Sequence, residues 1–215
     1  MKKIFCLLIF IFVLTSCNKK TIKLPTNTIK GIQDTIYDNS KIWFFYELKD
    51  QDTTALINKN NKLANTHYIF NIDKRLKLKH FMEDLNKIQF KKEQPSMHSN
   101  GKYMHSYLTY LDTKTSRLSM VLFDSVKFFP LNGIKKSKNQ ILLNYSNNNL
   151  LLNHKKILLN NLLNELNKYK DSSSRVLNLI WSNEVTYDNY IKLKANLQQL
   201  KVDSIYINKK EYIRN

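Results

Sequence analysis

The feature that most limits this chain is an apolar run that stops short. Ile4–Leu14 continues for eleven residues behind Lys2 and Lys3, whereas a helix needs ~20 apolar residues to cross the hydrocarbon of a bilayer. A basic start, a short apolar core and small residues before a cut are the parts of a secretory signal. Residues 1–16 are therefore expected to be removed. Cys6 leaves with them and Cys17 has no second thiol to pair with. An exported chain with no internal disulfide must stand on its apolar core, and about 200 remaining residues suffice for one large domain or two small ones.

The end of the run is more specific. Leu14-Thr15-Ser16-Cys17 resembles the lipobox of bacterial lipoproteins. The resemblance implies that Cys17 is the lipid attachment site and the mature N-terminus, so that membrane lipid is the first partner. The expected location is the bacterial cell envelope, lipid-anchored and facing the periplasm.

The formal charge of +18, or +16 once Lys2 and Lys3 are gone, raises the question of nucleic acid. Of the 35 basic residues only Arg75, Arg117, Arg175 and Arg214 are arginine, and asparagine occupies 27 positions. Lysine, asparagine and isoleucine together are what AT-rich codons produce. Base reading favours arginine, which binds guanine with two hydrogen bonds and stacks where lysine cannot. No nucleic-acid partner is expected, while a field of this sign suits anionic lipid heads or cell-wall polymers.

Residues 17–40 contain Pro25 and Gly31 without periodicity and read as a tether. Residues 41–130 read as an N-terminal α/β unit. Its strands are expected at Lys41–Tyr46, His67–Asp73, Tyr103–Leu111 and Arg117–Phe123, and its helix is marked by Leu76, Phe81, Leu85 and Ile88. Leu131–Lys138 looks like a boundary. Residues 139–215 form the second unit, expected to fold by itself. A hairpin joins Ile141–Tyr145 to Asn149–Asn153, and a helix follows with its face at Leu158, Leu159, Leu162, Leu163, Leu166 and Tyr169. An interior strand, Arg175–Trp181, leads to a helix capped by Thr186, and Asp203–Ile207 reads as the last strand. The fold class is α+β: two small α/β units, the second ordered β-β-α-β-α-β with its helices on one face of a small sheet.

"ILLNYSNNNLLLNHKKILLNNLLNEL" and "RVLNLIWSNEVTYDNYIKLKANLQQLKVDSIYI" together resemble the periplasmic domain of the ExbD/TolR family. The matching positions are Leu152, Asn153, Leu162, Val176, Leu179, Val185, Tyr187, Leu200, Val202 and Ile207, within residues 141–208. The resemblance implies a module that dimerises and touches an envelope protein partner or peptidoglycan, accessory to energy-coupled biopolymer transport. The family's transmembrane helix with its essential aspartate has no counterpart, and Ser182 stands where the family often has an aspartate. Proton conduction is therefore not implied.

Motifs for chemistry are sparse. Met97-His98 and Met104-His105 are the best metal-ligating pairs, since thioether and imidazole suit copper in an exported protein. Yet Asn100 and Gly101 mark a loop and no cysteine assists, so no metal is expected. There is no G-x-S-x-G elbow, and three glycines cannot make a phosphate cradle. Asp73, Glu83 and Asp84 read as helix-face charges beside Lys79 and Lys87. His67, His80 and His154 are isolated. Trp43, Phe44, Phe45, Tyr46, Phe128 and Phe129 read as core. No catalytic residue and no cofactor is expected, so the chain reads as an interaction module rather than an enzyme. The alternative is an envelope enzyme or metal-binding protein with its site in residues 41–130, around His98 and His105.

Overall fold

A computed structural model describes residues 20–58, 63, 65–94, 103–134, 139–146, 149–170, 174–200 and 204–214. It shows an α+β fold of two sheets and three helices.

The first sheet contains β1 (Thr26–Asn27), β2 (Asn39–Lys49), β3 (Asp52–Ile57), β4 (His67–Ile72), β5 (Ser106–Asp112) and β6 (Arg117–Leu122). Aromatic and β-branched residues alternate along β2, so Ile42 and Phe44 are buried while Lys41 faces out. The β2–β3 turn is tight because Asp50 and Gln51 both take positive φ, as a two-residue hairpin requires. Helix α1 (Leu78–Glu93) joins β4 to β5 and buries Leu78, Phe81, Leu85 and Ile88, the expected stripe. It stops just before Pro95, which disfavours helical backbone in the residue ahead of it.

The second sheet contains β7 (Lys127–Pro130), β8 (Gln140–Ser146), β9 (Asn149–Leu152), β10 (Lys155–Ile157), β11 (Arg175–Ser182), β12 (Ile205–Ile207) and β13 (Lys210–Arg214). A short helix α2 (Leu162–Asn167) leads into β11, and α3 (Tyr187–Gln198) follows it. The Thr186 hydroxyl accepts from the Asn189 amide and caps α3 as its sequence suggests. Both helices bury into one face of the sheet, against Leu177, Leu179 and Trp181.

The two sheets repeat one plan. In the first, β3-β2-β4-β5 runs antiparallel, parallel, parallel, with a helix between the third and fourth strands. In the second, β9-β8-β11-β12/β13 has the same order and senses, with a helix in the same place. The repeats meet about a pseudo-twofold axis where Lys77 and Thr186 form an antiparallel bridge. The Leu78 amide donates to the Val185 carbonyl at 2.8 Å and the Tyr187 amide to Leu76 at 2.7 Å. Lys79 donates to Asn183 at 3.1 Å and Asp188 to Lys74 at 3.3 Å. Each bond recurs with its donor and acceptor moved 109 positions along the chain. Across the axis Phe81 and Tyr187 meet edge to face at 5.8 Å, and both repeats share one apolar core.

Four expectations need correction. First, residues 20–40 are not a tether. β1 pairs with β5, Ile32 bridges Met120, and Ile32 and Ile36 cover Ile69, Tyr107 and Met120 on the outer face of the first sheet. Gly31 permits this, since a Cβ there would lie 2.5 Å from the Tyr110 hydroxyl and 2.6 Å from the Met120 carbonyl. Second, Lys127–Pro130 belongs to the second sheet, where β7 pairs with β13 in parallel. The Asn86 side chain of α1 receives the Phe128 amide and donates to its carbonyl, satisfying the strand's open edge. Third, the leucine-rich helix is shorter than its periodicity predicts. Leu158 is 68% exposed, and Lys155–Ile157 makes a strand instead. Fourth, Ile207 does not end the fold. The Asn208 amide still donates to the Leu177 carbonyl at 2.9 Å, and after an irregular step the chain continues along β11 as β13, burying Glu211 and Ile213.

Candidate functional site

Polar residues gather where β4 and β5 begin. The His105 amide donates to Nδ1 of His67 at 2.9 Å, and the two imidazole rings stack with centroids 5.6 Å apart. Nδ1 of His105 and Asp124 Oδ2 lie 2.5 Å apart, while Asp124 Oδ1 receives the Ser106 amide at 2.7 Å. Tyr103 and Tyr107 pack on the edges of the His105 ring. The β5–β6 hairpin makes the arrangement possible by returning the chain so that Asp124 lies beside the start of β5.

Beneath this layer, Nζ of Lys92 donates to the Ser106 hydroxyl at 2.8 Å, and that hydroxyl donates to Gln89 Oε1 at 3.0 Å. Burial pulls the Lys92 amine down to about 8, against the opposing pull of Asp124 and Glu93. An amine of lowered basicity beside a serine, and an imidazole oriented by a carboxylate, are the parts of nucleophile and base. The serine itself is held inside the fold. Ser106 is 1% exposed, and its hydroxyl is already engaged by two side chains. A hollow of about 170 Å3 lies at the other end of the sheet, lined by Lys20, Phe45, Glu47, Leu56 and Arg75 among others. The serine hydroxyl is thus enclosed, while His67, His105 and Lys92 above it are partly exposed.

The remaining candidates scatter. Cys17, Met97 and His98 lie outside the described residues. Among the described residues no three ligating side chains converge as a metal site, and no helix is long and apolar enough to cross a membrane. His154 takes the second positive-φ position of the β9–β10 turn after Asn153, which explains an exposed histidine there. His80 Nδ1 accepts the Lys77 amide at 3.4 Å and helps start α1. Glu83 pairs with Lys87 one turn on.

Asp73 is not a helix-face charge. It is buried and takes Nε and Nη2 of Arg75, both at 2.8 Å, together with the amides of Lys23 and Arg75. Burial pushes its carboxyl up, but these donors outweigh that and hold it below the usual carboxylate range. Arg75 also sits 4.1 Å from the centre of the Tyr46 ring. Of the aromatic runs, Phe44 and Phe128 are buried as expected, whereas Phe129 is exposed.

Sequence reasoning missed a fully buried charge. Glu211 on β13 receives Trp181 Nε1 at 2.8 Å, the Tyr190 hydroxyl at 3.0 Å and Nζ of Lys194 at 2.5 Å. The available signal was an Ile-Arg pair after Glu-Tyr, an alternation too short to read as a strand.

No family model, no curated protein and no solved structure matches this chain.

Proposed function

We propose that this is an exported envelope protein, anchored by lipid on Cys17, whose body is an interaction module rather than an enzyme. It resembles the ExbD/TolR periplasmic domain in residues 141–208, and the order of hairpin, helix, strand, helix and strand in that segment, with the short strand β10 added after the hairpin, supports the reading. Its partner is an envelope protein or peptidoglycan, and its role is accessory to energy-coupled transport of the ExbD/TolR type. One observation carries the proposal. Val176 and Tyr206 sit directly opposite each other on β11 and β12, 38% and 60% exposed, on the outer face of the second sheet. The matching face of the first sheet is covered by Ile32 and Ile36 from the chain itself. An exposed aliphatic–aromatic pair of this kind suits a protein contact or stacking on a sugar.

A second reading keeps an enzyme or metal site in residues 41–130. The observation that favours it is the imidazole of His105 held by Asp124.

A photoreactive residue at Tyr206 in living cells tests the first reading. The expected outcome is an adduct of discrete mass, identified as an envelope protein or a muropeptide and absent when the probe stands at exposed Asn164. Equal, diffuse labelling from both positions would contradict it.

A further inference from the structure

Resting on the lipoprotein reading above, we infer that the folded body lies directly on an anionic membrane surface, with the pseudo-twofold junction facing the lipid headgroups. Chain length limits how far the lipid can lie from the folded body. Lys23 is fixed in the fold, since its amide donates to Asp73 at 3.0 Å and its carbonyl receives the Lys74 amide at 2.8 Å. Cys17 precedes it by six residues, which span at most about 20 Å when fully extended. A body of this length has a radius of gyration near 16 Å and is about 40 Å across. A lipid on Cys17 therefore brings the end of the sheet near Asp73 to the membrane and leaves the opposite end out of reach. The expected tether would have removed this constraint, but residues 20–38 are packed on the first sheet.

The surface at that end has the matching charge. Lys20, Lys23, Lys74, Arg75, Lys77 and Lys79 surround the junction. Lys20 pairs with Glu47 at 3.5 Å, Arg75 with Asp73 at 2.8 Å, and Lys77 and Lys79 share Glu184, each at 2.5 Å. Six cations thus meet three carboxylates, and Asp188 is matched by Lys192. Asp50 and Asp52 at the β2–β3 turn outnumber Lys49 there by one, which leaves the junction a positive surplus within a screening length of the headgroups. A lipid chain joined to a basic surface makes two signals, the combination that holds a protein stably on a bilayer. The His67–His105 layer and the Val176–Tyr206 pair lie at the starts of β4, β5 and β11, strand lengths away from the junction and facing the periplasm.

The test uses the lipidated full chain in vesicles containing phosphatidylglycerol, with a nitroxide on one introduced cysteine: Lys79→Cys, Tyr103→Cys or Tyr206→Cys. The label at 79 should lose most collisions with a water-soluble nickel complex compared with the same protein in detergent, while labels at 103 and 206 should not. In vesicles of phosphatidylcholine alone, the label at 79 should regain collisions. Shielding at 103 or 206, or equal exposure at all three, would overturn the orientation. Shielding at 79 that persists in neutral vesicles would overturn the role of charge. Mass spectrometry of the same sample separates the two readings. An unmodified Cys17 sinks the lipoprotein reading and this inference with it, whereas a lipidated Cys17 with an open label at 79 sinks this inference alone.

Discussion

Glu211 ties three elements of the second repeat together. Its carboxylate is fully buried and serves three donors, one of them Nζ of Lys194, itself only 8% exposed. Removing one partner of a buried pair leaves the other charged without compensation, at a cost of ~3–5 kcal/mol. Glu211→Gln should lower stability by that order in urea unfolding followed by Trp181 fluorescence, and adding Lys194→Met should restore part of the loss. Burial together with the neighbouring Glu211 carboxylate also keeps the Tyr190 hydroxyl protonated well beyond its ordinary range. Lys92 offers a pH readout. Its folded value of about 8 lies below the ~10.4 of free lysine, so between these values the unfolded chain binds more protons and stability rises with pH. The urea midpoint of the wild-type protein should therefore gain on that of Lys92→Met between pH 8 and pH 10. A constant difference over that interval would mean that Lys92 is solvated.

At the scale of elements, what could be read in the sequence divides along a physical line. Helix α1, the β8–β9 hairpin, β11 and the cap of α3 were legible because each satisfies its backbone locally and carries its own periodicity. The repeat was not legible, because equivalent positions solve the same burial differently. Leu85 fills the core of α1, whereas the equivalent position on α3 is Lys194, acceptable there only because Glu211 faces it. Asp73 anchors Arg75 in one repeat and Ser182 takes its place in the other. The first segment read as a tether because it is held by partners 50 to 88 residues away, from Lys23 with Asp73 to Ile32 with Met120. In the candidate site, His105 was singled out for its neighbour Met104, while its structural partners, Asp124 in the turn after β6 and His67 on β4, are distant in sequence and leave no local spacing to find. Helix α2 separates burial from periodicity cleanly. Leu166→Ala, at a fully buried position, should cost ~2–5 kcal/mol. Asn164→Ala, on the exposed side, should stay within ~0.5 kcal/mol.

For the whole molecule, the consequence of the repeat is that neither half owns its core. Tyr187 and Tyr190 of the second repeat are covered by Phe81 and Phe128, which precede residue 139. A fragment of residues 139–215 should therefore lack cooperative unfolding by circular dichroism, contrary to the expectation that this unit folds by itself. A sharp transition in that fragment would show that the shared core is dispensable. The placement of the protein turns on where the mature chain begins. If Cys17 carries lipid, the protein is an envelope module held close to a membrane; if it does not, the compartment, the partner class and the orientation all lose their basis. Intact-mass and peptide mass spectrometry of the protein purified from its own membranes decides this. The expected result is an N-terminal peptide that starts at Cys17 and carries diacylglycerol, with no peptide covering residues 1–16. Recovery of the peptide beginning at Met1, with Cys17 unmodified, would contradict it.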